Sequence, residues 1–404
     1  MPVRSAVSIG LIMKNLARLA QHPWISGKLL TLETEKRLFN VLYRHQEEGV
    51  AYKIRQASFR LTDRCNLRCH TCGQWGDQGF LHHQDLKILK QQEVAPSRYQ
   101  EVFADLVAHG HKPLVYFWGG EPMLYEGTLD LIDTATRLGL PCSIATNGTR
   151  MAKAAQRLVQ APLFLLQVSI DGHNAALHNR VRPGAAGGDN FADIQAGLAA
   201  VRQVRQEHRQ TLPLLASLTV ISHDNQHHLV DIYEAFREQV DLFVFYLSWW
   251  IDPPHLAQHN ADFQARFGFV PSRPQGWLST WRPADLTALA AQMADLQARS
   301  QRWSAPPVTF IPDLQGVADL ERYYSDHSAR FGYKQCISIF QAVEVNSNGD
   351  LSPCRDYHDY VVGNIKEQTI SELWNAPAYR KFRRSLATQG LMPVCSRCCG
   401  LMGY

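Results

Sequence analysis

A chain of 404 residues with 45% hydrophobic content is long enough for about two to three domains and can bury substantial cores, which excludes a disordered tail or a small disulfide-stapled scaffold. Its 41 Lys and Arg against 37 Asp and Glu leave a formal charge of +4 with no block of five like charges, so no nucleic-acid partner is expected. The nine cysteines are clustered and odd in number, and no cleavage-site signal follows the short apolar run Ala6 to Met13; metal binding in the cytoplasm is expected rather than disulfides.

Residues 1–56 read as a helical segment with two helices, Val7 to Gln21 and Leu32 to Gln46. Ile9, Ile12, Met13, Leu16, Leu19 and Ala20 fall at helical spacing, as suits docking on the body or lying on a membrane surface, and no run is long enough for a transmembrane segment. From 57 to 248, short apolar or β-branched runs alternate with helical patterns. The strands are Ala57 to Leu61, Leu114 to Trp118, Cys142 to Thr146, Leu163 to Ile170, Leu212 to Ile221 and Leu242 to Leu247; helices fall near 97–109, 126–138, 150–160, 190–208 and 226–239. This rhythm predicts an α/β fold with a parallel sheet buried on both faces, six units making a curved sheet or partial barrel, and a site gathered at the carboxyl ends of the strands.

Residues 249–334 break the rhythm with Pro253, Pro254, Pro271, Pro274, Pro306 and Pro307 among others, while Trp249, Trp250, Phe263, Phe267, Phe269, Trp277 and Trp281 crowd together. An insertion with its own apolar cluster is expected, containing a helix from about Pro283 to Arg299. It serves as a lid or pocket wall for an apolar or ring-bearing substrate, or simply packs. A smaller α+β unit follows from 335 to 404: Val343 and Val345 lead into an Asn-Ser-Asn-Gly-Asp hairpin turn, and the capping box Thr369 to Glu372 starts a helix running through about Leu386.

The chemistry-bearing stretch is "RLTDRCNLRCHTCGQWG", residues 60–76. Cys65, Cys69 and Cys72 can hold a four-iron cubane at three corners and leave one iron open. A zinc loop is the alternative; it needs a fourth ligand, and His70, directly beside Cys69, would make an awkward chelate.

In "TDRCNLRCHTC" this CxxxCxxC loop after a first strand resembles the signature of radical S-adenosylmethionine (radical SAM) enzymes, and further segments match in order at strand ends: "WGGEP", "ATNGT", "VSIDG" and "HNRVR". The resemblance covers roughly Ser58 to Leu247. It implies a 4Fe-4S cluster on the three cysteines, with S-adenosyl-L-methionine chelating the open iron and yielding a 5'-deoxyadenosyl radical that abstracts hydrogen from a substrate. Gly119, Gly120, Glu121 and Pro122 would receive the amino group, Ser169 and Asp171 would lie near the ribose and cavity, Asn147 follows the third strand, and Arg182 would stand near the carboxylate. Relatives often carry an aromatic before the third cysteine to contact the adenine; here that position is Thr71, which makes Trp75 the candidate for stacking. No residue stands out as a general base, His178 and Tyr246 being weak candidates.

Cys336, Gly349, Cys354 and the pair Cys395 and Cys398 resemble the short, SPASM/twitch-type auxiliary-cluster domain, implying one auxiliary 4Fe-4S cluster or, alternatively, zinc on those four thiolates. Cys399 competes with Cys398 as ligand, and Cys142 reads as a small core residue. A fully ligated auxiliary cluster favours electron transfer, hence net oxidation of a small-molecule substrate, with an electron donor such as flavodoxin or ferredoxin as partner. The alternatives are a peptide maturase that crosslinks or oxidises peptides and, from another class, a non-catalytic zinc or iron-sulfur binding protein.

Overall fold

In the computed structural model, which describes residues 23–403 apart from 44, 162, 303 and 315, one ten-stranded sheet runs in the order β10-β9-β8-β1-β2-β3-β4-β5-β6-β7. The strands are β1 (Gln56–Thr62), β2 (Leu114–Gly119), β3 (Cys142–Thr146), β4 (Leu163–Ser169), β5 (Leu214–Ile221), β6 (Leu242–Leu247), β7 (Val308–Ile311), β8 (Ala342–Val345), β9 (Asp350–Ser352) and β10 (Gly363–Asn364). All pairings from β8 through β7 are parallel; only the β8–β9 and β9–β10 pairs are antiparallel.

The six expected strands and the expected crossover helices are present, the helices as Pro96–Ala108, Thr128–Arg137, Met151–Gln160, Asn190–Glu207 and Leu229–Phe236. A strand-helix repeat dictates this, because a parallel neighbour is reached only through a crossover that packs back on the sheet. The helices cover the face bearing Phe59, Val115, Phe117, Ile144, Leu166 and Val168, all fully buried. Phe59, for example, sits edge-on between Tyr99 and Phe103 at 5.6 and 5.3 Å.

The opposite face differs from expectation. Tyr116, Trp118, Ser143, Gln167, Ser169 and Tyr246, alternating with the buried residues, keep partial exposure. Polar and amphipathic side chains at every second position line an interior space, where an all-apolar second face would have closed it.

The 249–334 region contributes a strand that the sequence reading did not see: β7 extends the sheet beyond β6, pairing Phe245 with Phe310. Its helices are Pro253–Phe267, Leu286–Ser300 and Gly316–Ser325, the second capped by Asp285, which accepts from the Ala288 N–H. The hairpin expected after residue 342 is present as β8 and β9, and β8 lies alongside β1, Ala342 opposite Gln56.

Two helix expectations are corrected. The capping box at Thr369 and Glu372 forms, but its helix is only Ile370–Leu373; a second begins at Pro377, whose ring cannot occupy a helix interior, and runs to Gln389. The helix expected over Leu32 to Gln46 lies earlier, at Pro23–Arg37, followed by the single turn Phe39–Leu42. The one expected over Val7 to Gln21 lies outside the described residues. Among the described residues no helix is long and apolar enough to cross a membrane.

Candidate functional site

The three-cysteine loop leaves the end of β1 and is held from both sides. From β2, Gly120 N–H donates to Thr62 O and Glu121 N–H to Arg64 O, each at 2.8 Å. A Cβ at Gly120 would fall 2.3 Å from Arg64 O, and one at Gly119, whose φ is +145°, 2.3 Å from Thr62 O. These glycines therefore bring β2 against the root of the loop, the close approach that only a residue without Cβ permits. On the far side, Arg68 N–H donates to Pro183 O and His70 N–H to Val181 O.

Glu121 is a brace. Its buried carboxylate accepts from Thr146 Oγ1 (2.7 Å), Asn147 N–H (2.7 Å) and Met123 N–H (2.9 Å), joining β2 to β3, and burial holds its pKa above the ordinary value against those three bonds. Asn147 is likewise engaged: its Nδ2 donates to Asn66 Oδ1 inside the cysteine loop, and its Oδ1 accepts from Thr149. Pro122 opens the turn that follows.

Asp171, fully buried beyond β4, accepts from Arg182 Nε at 2.7 Å and Val220 N–H at 2.8 Å. Arg182 in turn donates to Cys69 Sγ at 3.7 Å. The other two sulfurs also accept one backbone donor each: Cys65 from Leu67 N–H and Cys72 from Trp75 N–H, both at 3.4 Å. Such bonds favour thiolate and tune a bound cluster. Burial pushes the Cys65 thiol up, and that of Cys69 up to about 12 against the pull of Arg182, so a bound cation would favour the thiolate at both.

The donor set fits a cluster better than a single zinc ion. Among the described residues, the group of three or more His, Cys, Asp or Glu donors lying within 4.8 Å of one another is His173, His228 and Asp231, not the cysteines. Tetrahedral zinc would draw its sulfurs to about 3.8 Å apart. His70, the side chain that could close a zinc site, is half exposed and faces Asp224 instead.

Three candidates from the sequence take other roles. Trp75 is 2% exposed, donates Nε1–H to Asp63 O and has one ring face under the Arg68 guanidinium, which makes it a buried brace of the loop. His178 is fully buried; its Nδ1 accepts from Asp171 N–H, and burial together with Arg182 holds its pKa down to about 3, so the imidazole is a neutral brace. Tyr246 points into the interior, its phenol pushed up by burial and by nearby Tyr116 and Cys399, which is unfavourable for a base. Ser169, at the end of β4, keeps partial exposure.

A cavity of about 410 Å³ adjoins the loop at His70, Thr71 and Cys72, and its lining also includes Val220, Ser222, Trp249, Trp277 and Trp281. The Trp277 ring lies on Gly73, where a Cβ would come within 2.6 Å of it, so the aromatic region is seated directly on the cysteine loop.

In the carboxyl-terminal unit burial pushes up the thiols of Cys336, Cys354, Cys395 and Cys398, with Cys395 and Cys336 near enough to Cys354, Cys336 to Cys395, and Cys354, Cys399 and Cys395 to Cys398, to add to the rise. Cys399 turns away: its thiol and N–H both donate to Asp356, each at 2.9 Å. The sequence reading passed over Asn66 and Asp356, although each stands within two residues of a cysteine ligand, which was the available signal.

Comparison with known proteins follows the same division. Residues 59–236 match the radical SAM superfamily and residues 336–399 the SPASM iron-sulfur cluster-binding domain. An AdoMet-dependent heme synthase of Methanosarcina barkeri is 26% identical over 84% of this chain and 88% of its own; a cysteine-type anaerobic sulfatase-maturating enzyme of Clostridium novyi is 22% identical over 79% and 78%. Among solved structures, native anSMEcpe with bound AdoMet superposes with a TM-score of 0.56 at 16% identity over 86% of this chain and 88% of that one, a likeness of fold.

Proposed function

The chain belongs to the radical SAM superfamily and carries a SPASM domain, an enzyme architecture that uses S-adenosyl-L-methionine with 4Fe-4S iron-sulfur centres, and on that premise we propose that it oxidises a C–H position of a small, ring-bearing molecule. When bound, cluster and S-adenosylmethionine supply the hydrogen-abstracting radical; the protein binds, orients and excludes water.

The residues divide this work. Cys65, Cys69 and Cys72 would hold the first cluster, and Arg182 sets the charge beside Cys69. Gly119 O, which accepts from Gln74 Nε2 of the cysteine loop at 3.5 Å, and Gly120 O would receive the ammonium group. Thr71, Val220 and Ser222 in the lining of the 410 Å³ cavity would receive the adenosyl group. Trp249, Trp277 and Trp281 in the same lining would meet the substrate, and this tryptophan wall against the cysteine loop is the observation that carries the proposal. Cys336, Cys354, Cys395 and Cys398 would saturate an auxiliary cluster that accepts an electron, with a flavodoxin or ferredoxin as external donor. The similarity to the heme synthase over most of both chains supports a small-molecule substrate. Similarity to the sulfatase-maturating enzyme supports the second reading, a peptide or protein substrate.

The deciding experiment supplies the reconstituted enzyme with extract from deuterated cells, separated by size. Deuterium entering 5'-deoxyadenosine from the small-molecule fraction is expected. Deuterium from the macromolecular fraction alone would overturn the small-molecule reading.

A further inference from the structure

Outside the cysteine centres, the loop after β4 and the helix after β5 bring together a cluster the proposed reaction does not use. One donor atom from each of His173, His228 and Asp231 lies within 4.8 Å of the other two. The imidazoles face each other with centroids 5.1 Å apart, and His228 Nδ1 is 2.9 Å from Asp231 Oδ2. We propose that His173, His228 and Asp231 bind a divalent transition ion of the zinc class, a third metal site independent of the reaction assigned above.

Two imidazoles and one carboxylate are a donor set zinc accepts, with a fourth position open to water. His228 occupies the position before the helix Leu229–Phe236 yet makes no side-chain cap bond, and Asp231 follows three residues later on the same side. Both side chains are about half exposed, at 40% and 55%, so they can turn to close the spread to coordination distance. His173 Nδ1 is buried with no hydrogen-bond partner, and Nε2 lies 2.8 Å from Asn174 Nδ2. An ion on either nitrogen gives up the Asn174 contact, while Asn174 Oδ1 keeps its cap bond to Leu177 N–H. The bound ion would tie the loop two residues beyond Asp171 to the helix following β5, bracing the rim on which Asp171 holds Arg182.

The test uses anaerobically prepared holoenzyme with iron and sulfide assayed, so that the cysteines are occupied. Titration with Zn2+ against a competing chelator is expected to find one ion per chain beyond the clusters, bound at least tenfold more weakly in both His228→Ala and Asp231→Asn, with iron content unchanged. Co2+ in the same site should give a spectrum without thiolate charge transfer. No zinc bound by the holoenzyme, equal affinity in both variants, or a thiolate band with Co2+ would each overturn the site. Asp231→Asn, an exposed and nearly isosteric change, guards against a folding failure at His228.

Discussion

At the scale of single residues, the site is built less from groups that touch a cofactor than from groups that hold the cysteine loop. Arg182 is the clearest case, because it joins a fully buried carboxylate to a cysteine sulfur. Removing it leaves Asp171 buried with the Val220 N–H but without its cation; Arg182→Ala should lower stability by about 3–5 kcal/mol by chemical denaturation of the holoenzyme, and adding Asp171→Asn should recover part of that loss. Gly120→Ala should drive its new methyl into Arg64 O, displace the loop, and cost most of the iron of the first cluster while sparing the auxiliary iron, as read by metal analysis with EPR. The cysteines were legible from spacing alone. The brace formed by Asp171 and Arg182 was not, since an ion pair across eleven residues of loop and helix leaves no periodic trace. Trp75 misled for a similar reason: nearness in sequence to Thr71 says nothing about which way an indole points, and its N–H needed the Asp63 carbonyl.

At the scale of elements, the strands and crossover helices of the first 250 residues were readable because each strand is a short apolar run and each helix carries an amphipathic face. β7 escaped notice because "VTFI" is four residues behind Pro306 and Pro307, in a stretch whose prolines suggested irregular chain. The break before Pro377 was available from the proline itself and was overridden by the strength of the capping box. The residues after the turn Pro393–Arg397 bear on a choice that spacing left open: the Cys399 thiol is engaged by Asp356, while Cys354 and Cys395 lie near enough to Cys398 to raise its pKa, which favours Cys398 as the ligand. Cys398→Ala should therefore lose the auxiliary iron, whereas Cys399→Ala should retain it. Iron content and EPR of the two variants check this directly.

At the scale of the whole molecule, the pH dependence of stability follows from histidines buried in neutral form. Burial holds His178 down to about 3 and His259 down to about 4, against an ordinary value of 6.5. Between those values the unfolded chain takes up protons that the folded chain refuses, so stability is fully present above 6.5 and falls as pH drops toward 4. Thermal unfolding at pH 7 and 5 should show this loss. Both ring nitrogens of His259 lack partners, so His259→Phe keeps the packing, removes one titrating group, and should make the melting temperature less sensitive to acid.

The pairing of β8 with β1 reaches furthest. The strand that feeds the first set of cysteines is the same strand whose edge carries the hairpin leading to Cys354, four backbone registers in succession. The two cysteine groups are thus joined through a hydrogen-bonded ladder, and clusters bound on them would have their separation fixed in part by that backbone pairing. If the tryptophan-lined cavity is where substrate sits, the adjustment that admits it would fall on that aromatic wall and not on this ladder.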